Sequence, residues 1–511
     1  MAMRITNQMI TGNSLRNMQK SMSAVNKTTQ QMTTGKKISQ ASEDPVIAIR
    51  ALKLRTTVNQ LQQYKEKNIP DATSWFDIST TSLDNITKRI EDITTYCVQG
   101  STDSFNSDDR STIIDSLKQL QEMLYEEGNA TYAGRYIFSG FKTDRSLTFI
   151  DTEDTSKFSY DITQSFDPKA MDTKNVVSDG VDYTQVDAYI DGTATYEQPN
   201  AEMVYRLNLA YENITDTNND GENVLSIVAM DASGAPIDTS GFTVTTMTED
   251  DVADYYNVGP DDIHVIEETG ELIFGENVYN TLKTADKIDV SYAKTQFLSG
   301  DLRPEHYFDC TQYTVQTDGS VKEVEYERPE DGQAIYYEVN FNQSLQVNTE
   351  GNQVISEEMS NDINDLIYAL TDLSEAEDAK IRLTKMLEDV QYSSDDAAVE
   401  QINRMINDLD TEIAIKKENM QKTFSNNITN FQTYMSVVSA MQSDIGSRMS
   451  KLEMISTRVD EQFAAFKELK SQNEDTETDA AIIDFNEAEL VYESALAATS
   501  NIMQTTLLDY L

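Results

Sequence analysis

The sequence has few of the residues from which reactive sites are built. Two cysteines, Cys97 and Cys310, occur in 511 residues. A disulfide framework needs more, and a metal site needs closer spacing. Two histidines, His264 and His306, rule out a two-histidine site with helical spacing, and no H-E-x-x-H is present. No serine lies in a G-x-S-x-G elbow, and no glycine-rich phosphate loop follows a strand. Carboxylates abound, but on an acidic surface they read as solvated charge, not as a paired acid and base. No catalytic residue, cofactor or metal ligand is expected, and the chain does not read as an enzyme.

Other things are scarce too. No apolar run approaches the length of a transmembrane helix, so membrane insertion is not expected. The start, MAMRITNQMITGNSLRNMQ, breaks its apolar residues with Thr, Asn and Gln and is no secretory signal. Positive charge is short: Lys and Arg number 40 against 88 Asp and Glu, for a formal net charge of −48. Such a surface repels nucleic acid and anionic lipid. By themselves, the missing signal and scarce cysteine read as a cytosolic protein.

What is present suits a folded chain of two to four domains. Apolar content is 39% and charged content 25%, ordinary for a soluble fold. Charge is uneven. Residues 1–70 hold 11 Lys+Arg and 3 Asp+Glu, net +8; residues 151–350 hold 10 and 41, net −31. That shift marks a domain boundary.

Spacings of three and four run through both ends. Leu15, Met18, Met22, Val25, Thr29 and Met32 form a first helical stripe, closed at Gly35. Ser42-Glu43-Asp44-Pro45 opens a second helix, with Pro45 in its first turn and the acidic pair at the positive end of its dipole. Ile47, Ala51, Leu54, Val58 and Leu61 follow, and Pro70 should end or kink this helix. Leu83, Ile86, Ile90, Ile93 and Cys97 make a third stripe; Ile113, Leu117, Leu120 and Leu124 a fourth. Near the other end, Ile445, Met449, Leu452, Val459, Phe463 and Phe466 keep a heptad, with Ser456 as its gap. The last helix carries Ile482, Phe485, Tyr492, Leu496 and Met503, with Ala488, Ala495, Ala497 and Ala498 between them.

Residues 146–354 differ. Short runs such as Tyr205-Leu207-Leu209-Tyr211, Phe242-Val244, Ile263-Val265, Leu272-Ile273-Phe274 and Ile288-Val290-Tyr292 alternate or cluster apolar residues between Asp-Gly and Gly-Pro turns. The fold expected is mostly α with a β-rich insertion. N- and C-terminal helices pair into a coiled coil or bundle, since a lone amphipathic helix cannot bury its stripe. A period near 3.5 gives a left-handed supercoil. Residues 1–45 with 470–511 would form the terminal coil, 46–145 with 355–469 an inner bundle, and 146–354 one or two outer β-rich domains.

Three smaller features have plain structural readings. Asp216-Thr217-Asn218-Asn219-Asp220-Gly221 begins like a calcium loop, but its twelfth position is Ile227 where a bidentate Glu is needed. A polar turn is the preferred reading. His264 reads as a strand residue and His306 as a loop residue. Trp75, with Phe76, reads as a core anchor. On pattern alone the terminal stripes read as an intramolecular core.

The ends also carry a resemblance. Gln30-Gln31-Met32-Thr33-Thr34-Gly35-Lys36-Lys37-Ile38, followed by Ala41-Ser42-Glu43-Asp44-Pro45, resembles the turn between outer and inner helices of the bacterial flagellin family. Met3–Tyr64 and Tyr492–Leu511 resemble that family's N- and C-terminal regions. Pro45 directly after the acidic pair, the segment Gly134–Thr143 with Tyr136, Phe138 and Gly140, and the tail Leu507-Leu508-Asp509-Tyr510-Leu511 are similar to its hook-associated branch rather than to filament flagellins. The resemblance implies a structural adaptor between hook and filament, located outside the cell. It implies a ring of like subunits, another hook-associated protein on the hook side and flagellin on the filament side. It also implies passage through the type III export apparatus without a cleaved signal, with an export chaperone at the C-terminal helix. The terminal stripes then become an assembly interface: Leu15, Met18, Met22, Val25 and Met32, with Tyr492, Leu496, Met503, Leu507, Leu508 and Leu511. Gly35, Ser42, Asp44 and Pro45 mark the family turn. Filament flagellin is the alternative, or an outer domain that binds glycan or host. The acidic insert inherits nothing from the resemblance.

Overall fold

The computed structural model describes residues 7–102, 107–178, 180–218, 221–248, 251, 254–329 and 332–508. Helices fill both ends. They are α1 (Asn7–Thr34), α2 (Pro45–Gln63), α3 (Ile69–Ser101) and α4 (Ser107–Gly128). The short strands β1 (Thr131–Tyr132) and β2 (Arg135–Tyr136) pair as a hairpin. Then come β3 (Phe158–Phe166), β4 (Asp172–Ser178), a short α5 (Val186–Ile190), β5 (Asn200–Asn208), β6 (Ser226–Met230), β7 (Thr243–Met247), β8 (Asp262–Ile266) and β9 (Glu271–Phe274). They are followed by α6 (Glu276–Leu282), β10 (Lys287–Lys294), a one-turn α7 (Pro304–Tyr307), β11 (Asp309–Val315), β12 (Val321–Tyr326), β13 (Tyr336–Asn340) and β14 (Gln343–Gln346). Helix returns as α8 (Glu357–Met386), a short α9 (Val390–Ser393), the 79-residue α10 (Asp396–Glu474) and α11 (Thr478–Leu508).

The fold is therefore mostly α with a β-rich insertion, as expected. The insertion holds two five-stranded sheets, ordered β12-β11-β3-β10-β6 and β4-β5-β9-β8-β7. All neighbours are antiparallel except β7 and β8, which run parallel. The chain divides into two compact units. One comprises residues 1–73, 337–345 and 449–511; the other comprises 74–336 and 346–448. The dividing points fall inside α3, β13, β14 and α10.

Pro70 does not end the helix: helical backbone continues through it into α3. A π-helical turn, Tyr64–Asn68, precedes it, and the Ile69 N–H reaches back to the Tyr64 carbonyl. The wider turn absorbs the missing donor and the ring clash that proline brings to a regular helix.

In the larger unit the third stripe is a true core. Leu83, Ile86, Ile90, Ile93 and Cys97 are all fully buried, beside Trp75 and Phe76. Leu117 and Leu124 of α4 and Leu366, Leu370 and Leu373 of α8 are buried as well. Where the Gly100 backbone passes Phe424, a Cβ would overlap the ring, so only glycine fits.

The sheet β4-β5-β9 is held to α8 by charge. Buried Arg206 bonds Asp172 (2.8 and 3.0 Å), Glu271 (2.8 Å) and Asp365 (3.0 and 2.6 Å). Lys174 adds a contact to Glu271 at 2.7 Å. Burial alone would raise the Glu271 pKa, but Lys174 and Arg206 outweigh it and hold the group at about 2. A buried charge is tolerated only when paired in this way.

Candidate functional site

The smaller unit contains the terminal helices. Gly35 closes α1 with φ +65° and donates its N–H to the Gln31 carbonyl at 2.8 Å. This is the left-handed helix end that glycine adopts without strain. Asp44 caps α2, its carboxylate accepting from the N–H groups of Val46 (3.0 Å) and Ile47 (3.1 Å), and Pro45 takes the first helical position. Glu43 turns back instead to Ser39, accepting from its backbone N–H and its hydroxyl. Ser42 is exposed.

Between these helices the chain meets the α10–α11 junction. The Lys37 N–H donates to the Glu474 carbonyl (2.8 Å), and the Thr476 N–H to the Gly35 carbonyl (2.9 Å). Asn473 Nδ2 donates to the Ile47 carbonyl at 3.2 Å. Glu474 is buried; its carboxylate accepts both prongs of Arg55, at 2.7 and 2.8 Å, and lies 3.5 Å from Lys36 Nζ. The Arg55 hydrogen bond holds its pKa below the usual carboxylate range. Lys36 also pairs with Asp475 at 2.5 Å, which raises the Lys36 pKa.

From this clasp α1 and α11 run side by side. The shielded stripe on α1 is Thr11, Ser14, Met18, Ser21, Val25, Thr28 and Gln31. On α11 it is Ala481, Phe485, Ala488, Tyr492, Ala495 and Thr499. Small and polar side chains dominate both. Of the residues expected at an interface, Met18, Val25 and Tyr492 are half-buried here. Leu15, Met22 and Met32 point outward, at 41%, 50% and 43% exposure, as do Leu496, Ile482, Ile483, Leu490 and Val491. On α2, Val46 (76% exposed), Ile49 and Leu52 are outward too. The side chains of Met503, Leu507 and Leu508, and all of Leu511, lie outside the described residues.

Elsewhere in the smaller unit, Tyr64 meets Phe341 edge-on with ring centroids 5.6 Å apart. Asn68 Nδ2 donates to the Glu338 carbonyl at 2.7 Å. Lys65 pairs with Asp460 at 2.7 Å.

The Gly134–Thr143 segment belongs to the larger unit and forms a buckle. Ala133, Gly134 and Gly140 have positive φ. Ile137 and Phe138 are buried, and Tyr136 is half-buried. The Phe138 carbonyl accepts from the Gly351 N–H (2.7 Å), and Gln333 Oε1 accepts from the Phe141 N–H (2.8 Å). A Cβ on Gly140 would collide with Gln333. The segment therefore ties the end of α4 to residues leading into α8.

The remaining sequence candidates are structural. His264 is a buried strand residue with Nδ1 3.1 Å from the Tyr255 carbonyl. His306 is not in a loop: it lies in α7, with Pro304 as its first residue. It is buried with Nε2 3.0 Å from the Ser146 carbonyl, and burial lowers its pKa to about 4. In the Asp216–Gly221 segment, Asn219 and Asp220 lie outside the described residues. The Asp216 carbonyl accepts from Val224, and Ile227 is in β6, paired with Val290. Among the described residues no group of three or more His, Cys, Asp or Glu could hold a metal.

Comparison with known proteins matches stretches at both ends of the chain. Residues 5–143 match the family model of the bacterial flagellin N-terminal helical region, and residues 428–511 that of the C-terminal helical region. The chain is similar to flagellar hook-associated protein 3 of Escherichia coli (strain K12), at 30% identity over 143 residues, 28% of this chain and 45% of the relative. It is also similar to a flagellin of Clostridium tyrobutyricum, at 27% over 127 residues, 25% of this chain and 33% of the relative. The chain thus spans less than half the length of these curated relatives. The crystal structure of the flagellar junction protein FlgL from Legionella pneumophila aligns with a TM-score of 0.28 at 12% identity, covering 80% of this chain and 99% of that one.

Proposed function

We propose that this chain, whose two ends match bacterial flagellin helical regions, is a structural subunit of the flagellum that polymerises through those ends as an adaptor between hook and filament. One observation carries the reading. The terminal pair covers a stripe of small residues and leaves large apolar side chains outward on three helices: Leu15, Met22 and Met32 on α1, Val46, Ile49 and Leu52 on α2, and Ile483, Leu490, Val491 and Leu496 on α11. Val46, Ile49 and Leu52 recur every three residues along α2, and Ile483 and Leu490 are seven apart on α11; such rows of exposed apolar side chains support an interaction surface. Like subunits packed side by side would cover it, as a ring does.

The name of the hook-associated relative supports a junction role. In that role the neighbours are another hook-associated protein below and flagellin above, and the location is outside the cell. Delivery is through the type III export apparatus, with a chaperone at the C-terminal helix. Similarity to a flagellin supports a second reading, the filament subunit itself. Abundance separates them: a filament subunit dominates a sheared-filament preparation, and a junction subunit is a trace band.

The test is deletion of residues 501–511, compared with Leu490→Ser in the full chain. Both should leave the larger unit folded and abolish junction assembly in motile cells. Normal filaments on cells carrying only the truncated form would sink the reading.

A further inference from the structure

The terminal pair has a property that its packing does not explain. Its shielded stripes nearly repeat every seven residues. On α1, Thr11, Met18 and Val25 form one row, and Ser14, Ser21 and Thr28 another. On α11, Ala481, Ala488 and Ala495 form one row, and Phe485, Tyr492 and Thr499 another. Sliding α11 by a heptad, about 10.5 Å at 1.5 Å per residue, puts alanine where alanine was and tyrosine where phenylalanine was, and changes size sharply only where Thr499 replaces Tyr492. Register in a helical pair is specified by distinctive residues at the seam, and this seam has few. Its Ala481/Ala488/Ala495 and Ser14/Ser21/Thr28 rows do not distinguish the two alignments, which leaves the choice to a few larger residues.

The clasp does distinguish them. It joins segments 439 residues apart through bonds that cannot slide: Lys37 N–H to the Glu474 carbonyl, Thr476 N–H to the Gly35 carbonyl, and the Glu474 carboxylate to Arg55. Lys36 lies within 3.5 Å of the same carboxylate. Glu474 is buried, so removing its charge takes from Arg55 its two-pronged partner and from Lys36 the longer of its two carboxylate contacts, Asp475 remaining at 2.5 Å. We infer that the Gly35–Lys37/Gln472–Thr476 clasp, centred on Glu474, sets the axial register of α1 on α11. The helices' own packing supplies attraction and only weak alignment. This stands on the geometry of the smaller unit and holds whatever the pair assembles with.

The register can be read by cysteine cross-linking in the full chain. The two native thiols are buried, and burial raises the pKa of each, so they do not compete. Ser21→Cys with Ala488→Cys lies at similar distances from the clasp on the two helices and reports the native register. Ser21→Cys with Ala495→Cys reports the slipped one. Each pair is placed in the native clasp and in two disrupted ones, Glu474→Gln and Thr476→Pro. Losing bonds to a buried charge should raise the ratio of slipped to native cross-link by about tenfold or more, with helicity retained. An unchanged ratio in both clasp variants overturns the inference. Loss of both cross-links together with helicity also overturns it, because the clasp would then hold the pair together rather than align it.

Discussion

The same three-and-four spacing produces opposite outcomes in α1 and α3. In α3, Leu83, Ile86, Ile90, Ile93 and Cys97 are fully buried. In α1, Leu15, Met22 and Met32 stay outside while serine and threonine face the neighbouring helix. Periodicity specifies a helix in both. Whether the helix is self-sufficient depends on which row its partner can approach. Small residues let two axes come close, and large ones keep a row free for another molecule. α3 belongs to a buried core; α1 leaves its large apolar row exposed, the row proposed above as an assembly surface.

Substitutions should separate the two regions. Ile90→Ala empties a fully buried site and should cost about 2–5 kcal/mol in urea unfolding. Val25→Ala in the terminal pair should cost about 0.5 kcal/mol, because the site is half-open. Equal costs would remove the contrast. Arg206→Met should cost about 3 kcal/mol, since it leaves the buried Glu271 with Lys174 alone and removes the ion pair of Asp365. Hydrogen exchange should rise in β4, β5 and β9 and stay unchanged in α3.

The larger unit holds a carboxyl whose pKa is raised on folding. Asp362 of α8 accepts from Tyr434 Oη (2.7 Å) and Asn430 Nδ2 (3.2 Å), and burial raises its pKa to about 7. A carboxyl raised on folding takes up a proton in the folded state. Its stabilising contribution is complete below the unfolded value near 4 and is lost as pH climbs to about 7. Asp362→Asn should therefore flatten the fall in stability between pH 4 and 7, measured by urea midpoints. An unaltered slope would assign the effect elsewhere. The smallest change in subunit stability is expected for Leu490→Ser, within about 0.5 kcal/mol, although assembly should fail.

Much of this was legible in the sequence. The helical ends, the β-rich middle with β5, β7, β8, β9 and β10, and the stop at Gly35 and start at Pro45 follow from spacing and capping chemistry; the other strands of the insertion were not singled out. The facing row of α1 did not. Hydrophobicity selects the large residues, and only Met18 and Val25 are common to the large row and the close-packed one. The π turn was missed because Pro70 signals a disturbance without saying how the preceding turn absorbs it. The clasp was illegible because its halves lie at opposite ends of the chain and its strongest residue, Glu474, is one carboxylate among many. His306 was misassigned although Pro304 at a first helical position was available as a signal.

Hydrogen–deuterium exchange of the full-length free subunit and of the assembled junction tests the central claim most directly. In the free subunit, α1 and α11 should exchange rapidly while α3 and α8 are protected. On assembly, protection should appear in α1, α2 and α11 and change little in α3. Terminal helices already as protected as α3 in the free subunit, with no gain on assembly, would contradict the account.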